Sequence, residues 1–307
     1  MKSKVTIIMA TYNRAHFIVE TLLSIKKQTC SNWECLIIDD GGTDNTEEVI
    51  TSILEEDPRF SYLKRPDTYK KGLPGSRNYG LDSAKGDYII FFDDDDIVHP
   101  DNLKICVEIL ESEFLNFCHY QKSSFKDKKP IIEQAFVNNQ NSLSKVDIEK
   151  IVTQEIGLAS CTVMWKKKCF STIRFNENLL YAEEWECYTR IVAEGFNGII
   201  IDAVLYYNRK HSASNTAEFY NDNPIRRASK KEAIVLILEN LKEKKILTNS
   251  IVKHFVTQSL GFKEFYLFNQ IMRVLDLNIF QRLNWELYIF SYPLRMSIYK
   301  MKKSLNK

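Results

Sequence analysis

The stretch YIIFFDDDDIVHP, residues 88–100, places five aromatic or aliphatic side chains directly before four aspartates. The apolar run is typical of a buried strand, whereas neighbouring carboxylates repel each other by roughly 1 kcal/mol per pair at 4 Å in water. The acids are therefore either a solvated strand end or the seat of a doubly charged cation. The surrounding sequence decides between these two interpretations.

The first hundred residues alternate between short β-branched runs and segments with a helical apolar stripe. This alternation predicts an α/β fold with a mostly parallel central sheet flanked by helices. Beyond about residue 220 the pattern predicts a helical C-terminal extension, whereas residues 119–160 show little pattern. Strands are predicted at Val5–Met9, Trp33–Asp39, Phe60–Leu63, 88–92, 161–165 and 198–210, and helices at 16–28, 46–56, 76–84 and 181–195.

Polar clusters follow three of the predicted strands. They are Thr11–Asn13 after the first strand, Asp39–Gly42 after the second and Asp93–Asp96 after the fourth. Ligands of open parallel sheets bind beyond the carboxyl ends of the strands, so we expect the three clusters to share one cleft. This convergence favours the cation interpretation of the acidic run.

The overall composition is that of a globular protein, with 307 residues, 44% hydrophobic and 27% charged. The net charge of +2 excludes nucleic acid as the main partner, because no strong positive field would attract phosphate backbones. The seven cysteines are scattered, without metal-binding spacing, and indicate free thiols in a reducing compartment. With no leader pattern at the start and no apolar run of membrane-spanning length, we expect a cytoplasmic protein.

Four segments together carry a resemblance to a known family: VTIIMATYNR, CLIIDDGGTDNTEEVI, PGSRNYGLDSAKGDYIIFFDDDDIVHPDNL and YAEEWECYTRIVAEG. In this order they resemble the family-2 nucleotide-sugar glycosyltransferases, which have the Rossmann-like GT-A fold. The resemblance covers about residues 1–215. It implies a catalytic domain with a nucleotide-sugar-binding half at 1–118 and an acceptor half at 119–215, followed by the helical extension 216–307.

The acidic run offers the oxygen ligands that Mg²⁺ and Mn²⁺ prefer, and Asp93 and Asp95 are the candidates. By resemblance, Asp93-x-Asp95 is the family's D-x-D motif, which holds the metal and the ribose and diphosphate of the donor. Asp94 then occupies the variable middle position. His211 matches a late histidine that some members direct at the diphosphate or metal, although a lone surface histidine is the competing interpretation.

The resemblance also implies a donor pocket that includes Thr11 and Arg14. Tyr12 would lay its ring on the nucleobase, and Asp40 would accept a hydrogen bond from a uracil N–H. Arg77 would reach the diphosphate or order its loop. The structural alternatives are core packing for Tyr12, a plain turn for residues 39–42 and a solvated helix surface for Arg77.

A sugar hydroxyl needs a base to become a good nucleophile. The family usually shows Glu-Asp where this chain has Glu183 and Glu184, and its second acid is the base, which makes Glu184 the candidate. The longer side chain departs from the family pattern, and Glu183 stays open as the base. An acidic first helical turn favoured by the helix dipole is the competing interpretation.

The resemblance implies a metal-dependent inverting glycosyltransferase. It would move a sugar from a nucleotide diphosphate sugar, with UDP favoured, to a hydroxyl of a glycan or lipid-linked acceptor in cell-surface polysaccharide synthesis. A non-catalytic sugar-nucleotide binder is one alternative. A sugar-phosphate nucleotidyltransferase is another, but its glycine-rich opening loop is absent from MATYNRAHF.

Residues 282–307 combine an aromatic and aliphatic segment with a basic ending. Such a segment can lie on an anionic membrane surface, which predicts peripheral contact with the inner face of the cell membrane. A C-terminal helix packed on the catalytic domain is an equally good interpretation.

Overall fold

The computed structural model describes residues 4–111, 114–211, 215–262 and 265–293. Within these ranges, nine strands form a single mixed sheet. The strands are β1 Val5–Thr11, β2 Trp33–Asp39, β3 Phe60–Lys64, β4 Tyr88–Phe91, β5 Ile97–Val98, β6 Phe117–Phe125, β7 Gln140–Leu143, β8 Val163–Lys166 and β9 Gly198–Arg209.

The helices flank the sheet in the first part of the chain and make up the last part. They are α1 Ile18–Lys26, α2 Thr46–Glu56, α3 Leu73–Ser83, α4 Asn102–Leu110, α5 Ile148–Val152, α6 Glu183–Ala193, α7 Asn215–Tyr220, α8 Pro224–Glu243, α9 Asn249–Gly261, α10 Phe265–Leu275 and α11 Ile279–Phe290. The predicted fold class, an α/β protein with a helical C-terminal region, is confirmed.

The first four strands are parallel in the order β3-β2-β1-β4. β1 pairs with β2 from Val5 opposite Trp33 to Thr11 opposite Asp39. These strands are rich in Val and Ile and are buried on both faces, as expected for parallel strands covered by helices. Because β2 and β4 flank β1 on opposite sides, the chain reverses direction across the sheet at β1, which is where such sheets bind ligands.

The second half of the sheet extends the order through β8, β6, β9 and β5, with antiparallel pairs at β4–β8, β6–β8 and β5–β9. Residues 119–160, which appear loop-like in the sequence, contain most of β6 and all of β7. In β6, four buried residues at 117–120 are followed by four exposed residues at 121–124, without inside–outside alternation. A strand of this kind gives no period-2 signal, which explains why the sequence pattern missed it.

The chain divides into two compact units, Met1–Ala233 and Ile234–Lys307. The first contains the sheet, and the second consists of most of α8 together with α9, α10 and α11. The functional division at residue 215 stays a prediction. Of the tail 282–307, residues 294–307 lie outside the described ranges, and in the described part of the chain no helix has the length and apolar character needed to span a bilayer.

Candidate active site

A cleft of about 990 Å³ lies at the carboxyl ends of β1, β2 and β4. It continues along the beginning of α6, the end of β9 and the first turns of α7 and α8. Every site residue that the sequence predicts lines this cleft: Thr11, Tyr12, Arg14, Asp40, Arg77, Asp93, Asp94, Asp95, Glu184 and His211.

Asp95 and His211 meet at one side of the acidic run. Nε2 of His211 lies 2.9 Å from Oδ2 of Asp95, and both side chains are largely buried. Asp93 is more open, with 39% of its side chain exposed and Oδ1 at 3.9 Å from the Arg77 guanidinium. The chain thus brings an imidazole into contact with a carboxylate that lies 116 positions away in sequence.

Arg14 follows β1 and faces the acidic run. Its Nε lies 3.4 Å from Oδ1 of Asp94, and one of its terminal nitrogens lies 4.0 Å from Oδ2 of Asp95. Thr11, the last residue of β1, is almost fully buried beside them. The turn after β1 therefore supplies a cation to the acids that follow β4.

Asp96 differs from the other three aspartates because its side chain is fully buried. Its Oδ1 accepts a hydrogen bond from the Arg209 backbone N–H at 2.6 Å, and Asn208 Nδ2 lies 3.3 Å from both of its carboxylate oxygens. Arg209 Nε in turn donates to the Asp95 carbonyl at 2.8 Å. Asp96 therefore connects the acidic loop to the end of β9. The last residue of β9, Arg209, lies two residues before His211 in the sequence.

Burial and mutual crowding perturb the acidities of Asp93, Asp94 and Asp96. Burial and the neighbouring carboxylates raise the pKa of Asp96 to about 8. Burial and the Asp95 carboxylate raise the pKa of Asp94 to about 7, against the opposing charge of Arg14. The pKa of the more open Asp93 is raised less, to about 6. A cation in the cleft would relieve this repulsion.

Among the described residues, one compact group of potential metal ligands is found. Single ligand atoms of Asp93, Asp96 and Cys161 lie within 4.8 Å of one another. Burial raises the pKa of the Cys161 thiol well above its usual value, and a protonated soft ligand is unsuited to Mg²⁺ or Mn²⁺. Asp93 and Asp95 suit these ions better by ligand type, because both offer hard carboxylate oxygens to the cleft, where His211 also contacts Asp95.

Of the two residues expected to bind the nucleobase, one is exposed to the cleft and the other is already bonded to the protein. The Tyr12 ring is 45% exposed, and Nζ of Lys71 lies 4.6 Å from its centroid. Core packing is therefore excluded for Tyr12. Asp40 is buried, forms an ion pair with Arg65 at 2.5 Å and accepts the Gly72 N–H at 2.9 Å from Oδ2. The Asp40 carboxylate thus uses some of its hydrogen bonds to fix the loop before α3.

This loop and the first turn of α3 approach each other closely enough to require glycine. A Cβ at Gly75 would lie 1.9 Å from the Lys70 carbonyl oxygen, and Gly72 has a φ of +127°. The helix that follows begins three residues earlier than the sequence predicts, with Pro74 in its first turn, where its missing N–H is tolerated. The close approach fixes the start of α3 and, with it, the direction of the Arg77 side chain.

Arg77 connects the two sides of the cleft. Only 3% of it is exposed, which excludes a solvated helix surface. The guanidinium forms an ion pair with Glu183 at 2.9 Å and donates to Ser160 Oγ at 2.8 Å. It also lies 3.8 Å from Glu184 and 3.9 Å from Asp93. One buried cation therefore holds acids from two distant segments in one place.

The two glutamates at the start of α6 have different environments. Glu183 is 6% exposed and forms the ion pair with Arg77, whereas the Glu184 side chain is 31% exposed to the cleft. Glu184 Oε2 accepts the Ser160 N–H at 3.1 Å, which orients the carboxylate. Ala182 precedes them with a φ of +65°, a left-handed conformation that a non-glycine residue adopts at a cost. The geometry leaves Glu184 as the more accessible carboxylate.

The sequence does not predict several residues of the cleft. Examples are Ser160, Lys122 on β6 and Lys230 on α8. Lys122 belongs to the strand that the pattern missed. Ser160 lies in a segment without periodicity, and Lys230 looks like an ordinary polar position of a long helix. No local signal in the sequence distinguishes them, because only the tertiary fold brings them to the cleft.

Several known proteins are similar to this chain in sequence. A model described as glycosyl transferase family 2 matches residues 6–166, more than half of the chain. An uncharacterized glycosyltransferase of Rickettsia conorii is 31% identical over 59% of this chain, and the match spans only 29% of that relative's own length. A Campylobacter jejuni protein, GalNAc(5)-diNAcBac-PP-undecaprenol beta-1,3-glucosyltransferase, is 24% identical over 81% of this chain and 75% of its own.

Solved structures share the fold at low sequence identity. Residues 1–349 of Staphylococcus aureus TarS in complex with UDP-GlcNAc match with a TM-score of 0.66 and 19% identity, over 88% of this chain and 79% of that one. The mannosyltransferase PcManGT of Pyrobaculum calidifontis in complex with GDP-Man and Mn²⁺ matches with a TM-score of 0.59 and 14% identity, over 99% and 83%. Similarity at this level concerns the fold alone.

Proposed function

The chain belongs to glycosyl transferase family 2, and from this premise we propose that it is a metal-dependent inverting glycosyltransferase. Its donor is a nucleotide diphosphate sugar, with UDP as the nucleotide. Its acceptor is a hydroxyl of a glycan or of a lipid-linked saccharide in cell-surface polysaccharide synthesis. The observation that carries the proposal is the single cleft in which the acidic run and Glu184 lie on either side of Arg77.

The donor occupies the side of the cleft formed by the ends of β1, β2 and β4. The exposed Tyr12 ring offers a flat surface for the nucleobase, and Asp40 lies behind it as a hydrogen-bond acceptor. Arg14 and Thr11 line the same side, next to the acids. The UDP-GlcNAc complex of TarS, a protein of the same fold, supports UDP as the nucleotide.

The metal site consists of Asp93, Asp95 and His211, with Mn²⁺ or Mg²⁺ as the ion. The contact between His211 and Asp95 supports this choice of residues. The structure of PcManGT with Mn²⁺ shows that a protein of this fold can bind such an ion. When bound, such an ion neutralises the diphosphate and stabilises the charge that develops as it leaves. Asp94 lies beside this set and contacts Arg14 rather than the ion.

Glu184 acts as the general base. It accepts the proton from the acceptor hydroxyl while that oxygen attacks the anomeric carbon from the face opposite the diphosphate. The Ser160 N–H keeps the carboxylate oriented toward the cleft. Arg77 holds the base side and the donor side together and adds positive charge near the leaving group. The anomeric configuration is inverted, and no covalent enzyme intermediate forms.

The lipid-linked acceptor gains support from the Campylobacter relative, whose name includes an undecaprenol-linked substrate.

The described end of the chain also suits contact with a membrane. On α11, the apolar side chains Ile279, Phe280, Leu287 and Phe290 are each at least 65% exposed. We expect this helix face to insert between the headgroups of an anionic bilayer. Pelleting with anionic liposomes, with and without residues 282–307, tests this part of the proposal, and equal recovery of both proteins would contradict it.

Calorimetry with UDP and Mn²⁺, followed by a UDP-release assay over a panel of donor sugars, tests the whole proposal. We expect UDP to bind only when the metal is present, and one donor to be hydrolysed or transferred faster than the others. Binding without any turnover would instead identify a non-catalytic sugar-nucleotide binder. Release of pyrophosphate from a sugar phosphate and UTP would identify a nucleotidyltransferase.

A further inference from the structure

Lys230 is a buried lysine in the wall of the cleft. It lies in the second turn of α8, and only 7% of it is exposed. Nζ lies 3.5 Å from the centroid of the Trp185 ring. The turn that presents it is fixed by Ser229, whose Oγ accepts the Tyr181 N–H at 2.9 Å. The position of Lys230 is therefore set by the fold and not by a mobile surface helix.

Within the described parts of the chain, the ammonium of Lys230 has no anionic partner. Among the described residues, none makes a hydrogen bond or an ion pair to Nζ, and the cation–π contact with Trp185 is its one specific interaction. Glu184 is the carboxylate whose charge acts on it, from beyond ion-pair distance. A buried charge without a partner is costly, and a desolvated cation–π contact of about 2 kcal/mol offsets only part of that cost.

The place of Lys230 in the cleft indicates what it binds. In a direct displacement, the base and the leaving group lie on opposite faces of the anomeric carbon. Lys230 is on the side of the base, since it lines the cleft together with Trp185 and Glu184 and the Glu184 charge acts on it. The donor diphosphate belongs to the other side, with Asp95 and His211. An anion that reaches Lys230 must therefore arrive with the acceptor.

We propose that Lys230 recognises a phosphate or carboxylate group of the acceptor and selects anionic acceptors over neutral ones. The proposal rests on the proposed function, since it assumes that Glu184 marks the acceptor side. The anion is either the phosphate of a lipid carrier or the carboxylate of an acidic sugar. Both provide the charged oxygens that a lysine binds through strong hydrogen bonds.

The test compares wild type with Lys230→Met in protein saturated with UDP and Mg²⁺. Geranyl diphosphate represents the lipid phosphate, glucuronic acid the acidic sugar and glucose a neutral reference, and binding is measured by calorimetry. We expect the variant to bind one or both anions about 10- to 100-fold more weakly, the equivalent of losing a charged hydrogen bond. Loss for geranyl diphosphate alone identifies the lipid phosphate, and loss for glucuronic acid alone identifies the acidic sugar.

Two control variants complete the design. Lys104→Met removes the same charge from an exposed position on α4 outside the cleft and should bind as wild type does. Lys230→Arg should recover part of the anion affinity. A melting temperature of Lys230→Met that is no lower than that of wild type, together with unchanged affinity for UDP, separates anion binding from a structural role.

Three results would overturn the proposal. They are equal anion affinity in wild type and Lys230→Met, no anion binding by nucleotide-loaded wild type, and a loss of UDP affinity in place of anion affinity. The proposed function fails by a different result, namely no binding of UDP and no turnover of any donor by wild type. In that event the same titration without nucleotide still decides whether Lys230 binds anions.

Discussion

The donor side and the acceptor side of the cleft hold their carboxylates in different ways. On the donor side, four acids follow one another in sequence, and burial together with their crowding raises the pKa of Asp94 and Asp96. On the acceptor side, Glu183 and Glu184 are gathered by a single buried arginine from α3. The donor side thus contains repulsion that a cation can relieve, whereas the acceptor side already has a positive charge from the protein, Arg77, beside its two carboxylates.

The largest effect that distinguishes the two sides is expected for Asp95→Asn. Loss of this carboxylate removes the partner of His211 and the centre of the proposed metal set, so transfer should fall by about 10³-fold or more. UDP release and Mn²⁺ titration measure the effect. The fold should persist, because the substitution removes one charge from a cluster of carboxylates that repel one another. Asp67→Asn makes the same change at an exposed position and is the matched control. Activity within about tenfold of wild type would show that the ion binds elsewhere.

Glu184→Gln should have the next largest effect. Loss of a general base lowers turnover by about 10²- to 10⁴-fold, while the affinity for UDP and metal should stay close to that of wild type, because the donor side is untouched. Steady-state UDP release and calorimetry separate the two quantities. Glu155→Gln, at an exposed position, controls for the chemical change. Near-normal turnover in Glu184→Gln would contradict Glu184 as the base and leave Glu183 as the candidate.

Glu183→Gln is expected to affect stability more than binding. It removes the ion-pair partner of the buried Arg77, and breaking a buried pair costs about 3 kcal/mol in the free energy of unfolding. Denaturant titration measures this quantity. Glu47→Gln, which breaks the exposed pair with Lys64 at 3.3 Å, should cost less than about 1 kcal/mol. Equal losses in the two variants would contradict a structural role for the buried pair.

The smallest expected effect is a pH-dependent gain in stability for Lys230→Met. Burial lowers the pKa of Lys230 to about 7 in the folded protein, against the opposing charge of Glu184, whereas an unfolded lysine titrates near about 10.4. The unfolded chain therefore binds more protons between these values, and the wild type becomes more stable as the pH rises from about 7 to about 10.

Removing this ammonium should therefore stabilise the protein by about 1–3 kcal/mol near pH 7 and below, and the gain should vanish toward pH 10. Denaturant unfolding at several pH values measures the difference between the two proteins. Lys104→Met should show no such trend. A variant that is less stable than wild type at every pH would mean that the cation–π contact outweighs the cost of burial.

The sequence predicts the donor side well because its rules are local. Parallel strands of β-branched residues end in polar turns, and their carboxyl ends meet at one edge of the sheet. Strand order and polarity alone therefore suffice to place Tyr12 and Asp93 in one cleft. The same local logic placed β2 and α2 at their observed bounds, Trp33–Asp39 and Thr46–Glu56.

The acceptor side was predicted less completely because its contacts are long-range. Glu184 stands out only through the family resemblance, while the ion pair of Arg77 with Glu183 joins residues 106 positions apart. Lys230 carries no signal at all, since a lysine in a long helix is usually solvated. The exposed residues in the middle of β6 hid that strand and, with it, Lys122.

The hydrogen bonds that join the acidic loop to the end of β9 have a consequence for ligand capture. Asp96 and the Asp95 carbonyl both accept hydrogen bonds from Arg209, and the Asp93 N–H donates to the Tyr206 hydroxyl at 3.1 Å. Loop and strand end thus form one rigid body before any donor arrives. The entropic cost of ordering these side chains is met when the chain folds, which leaves more of the interaction energy available for holding the nucleotide.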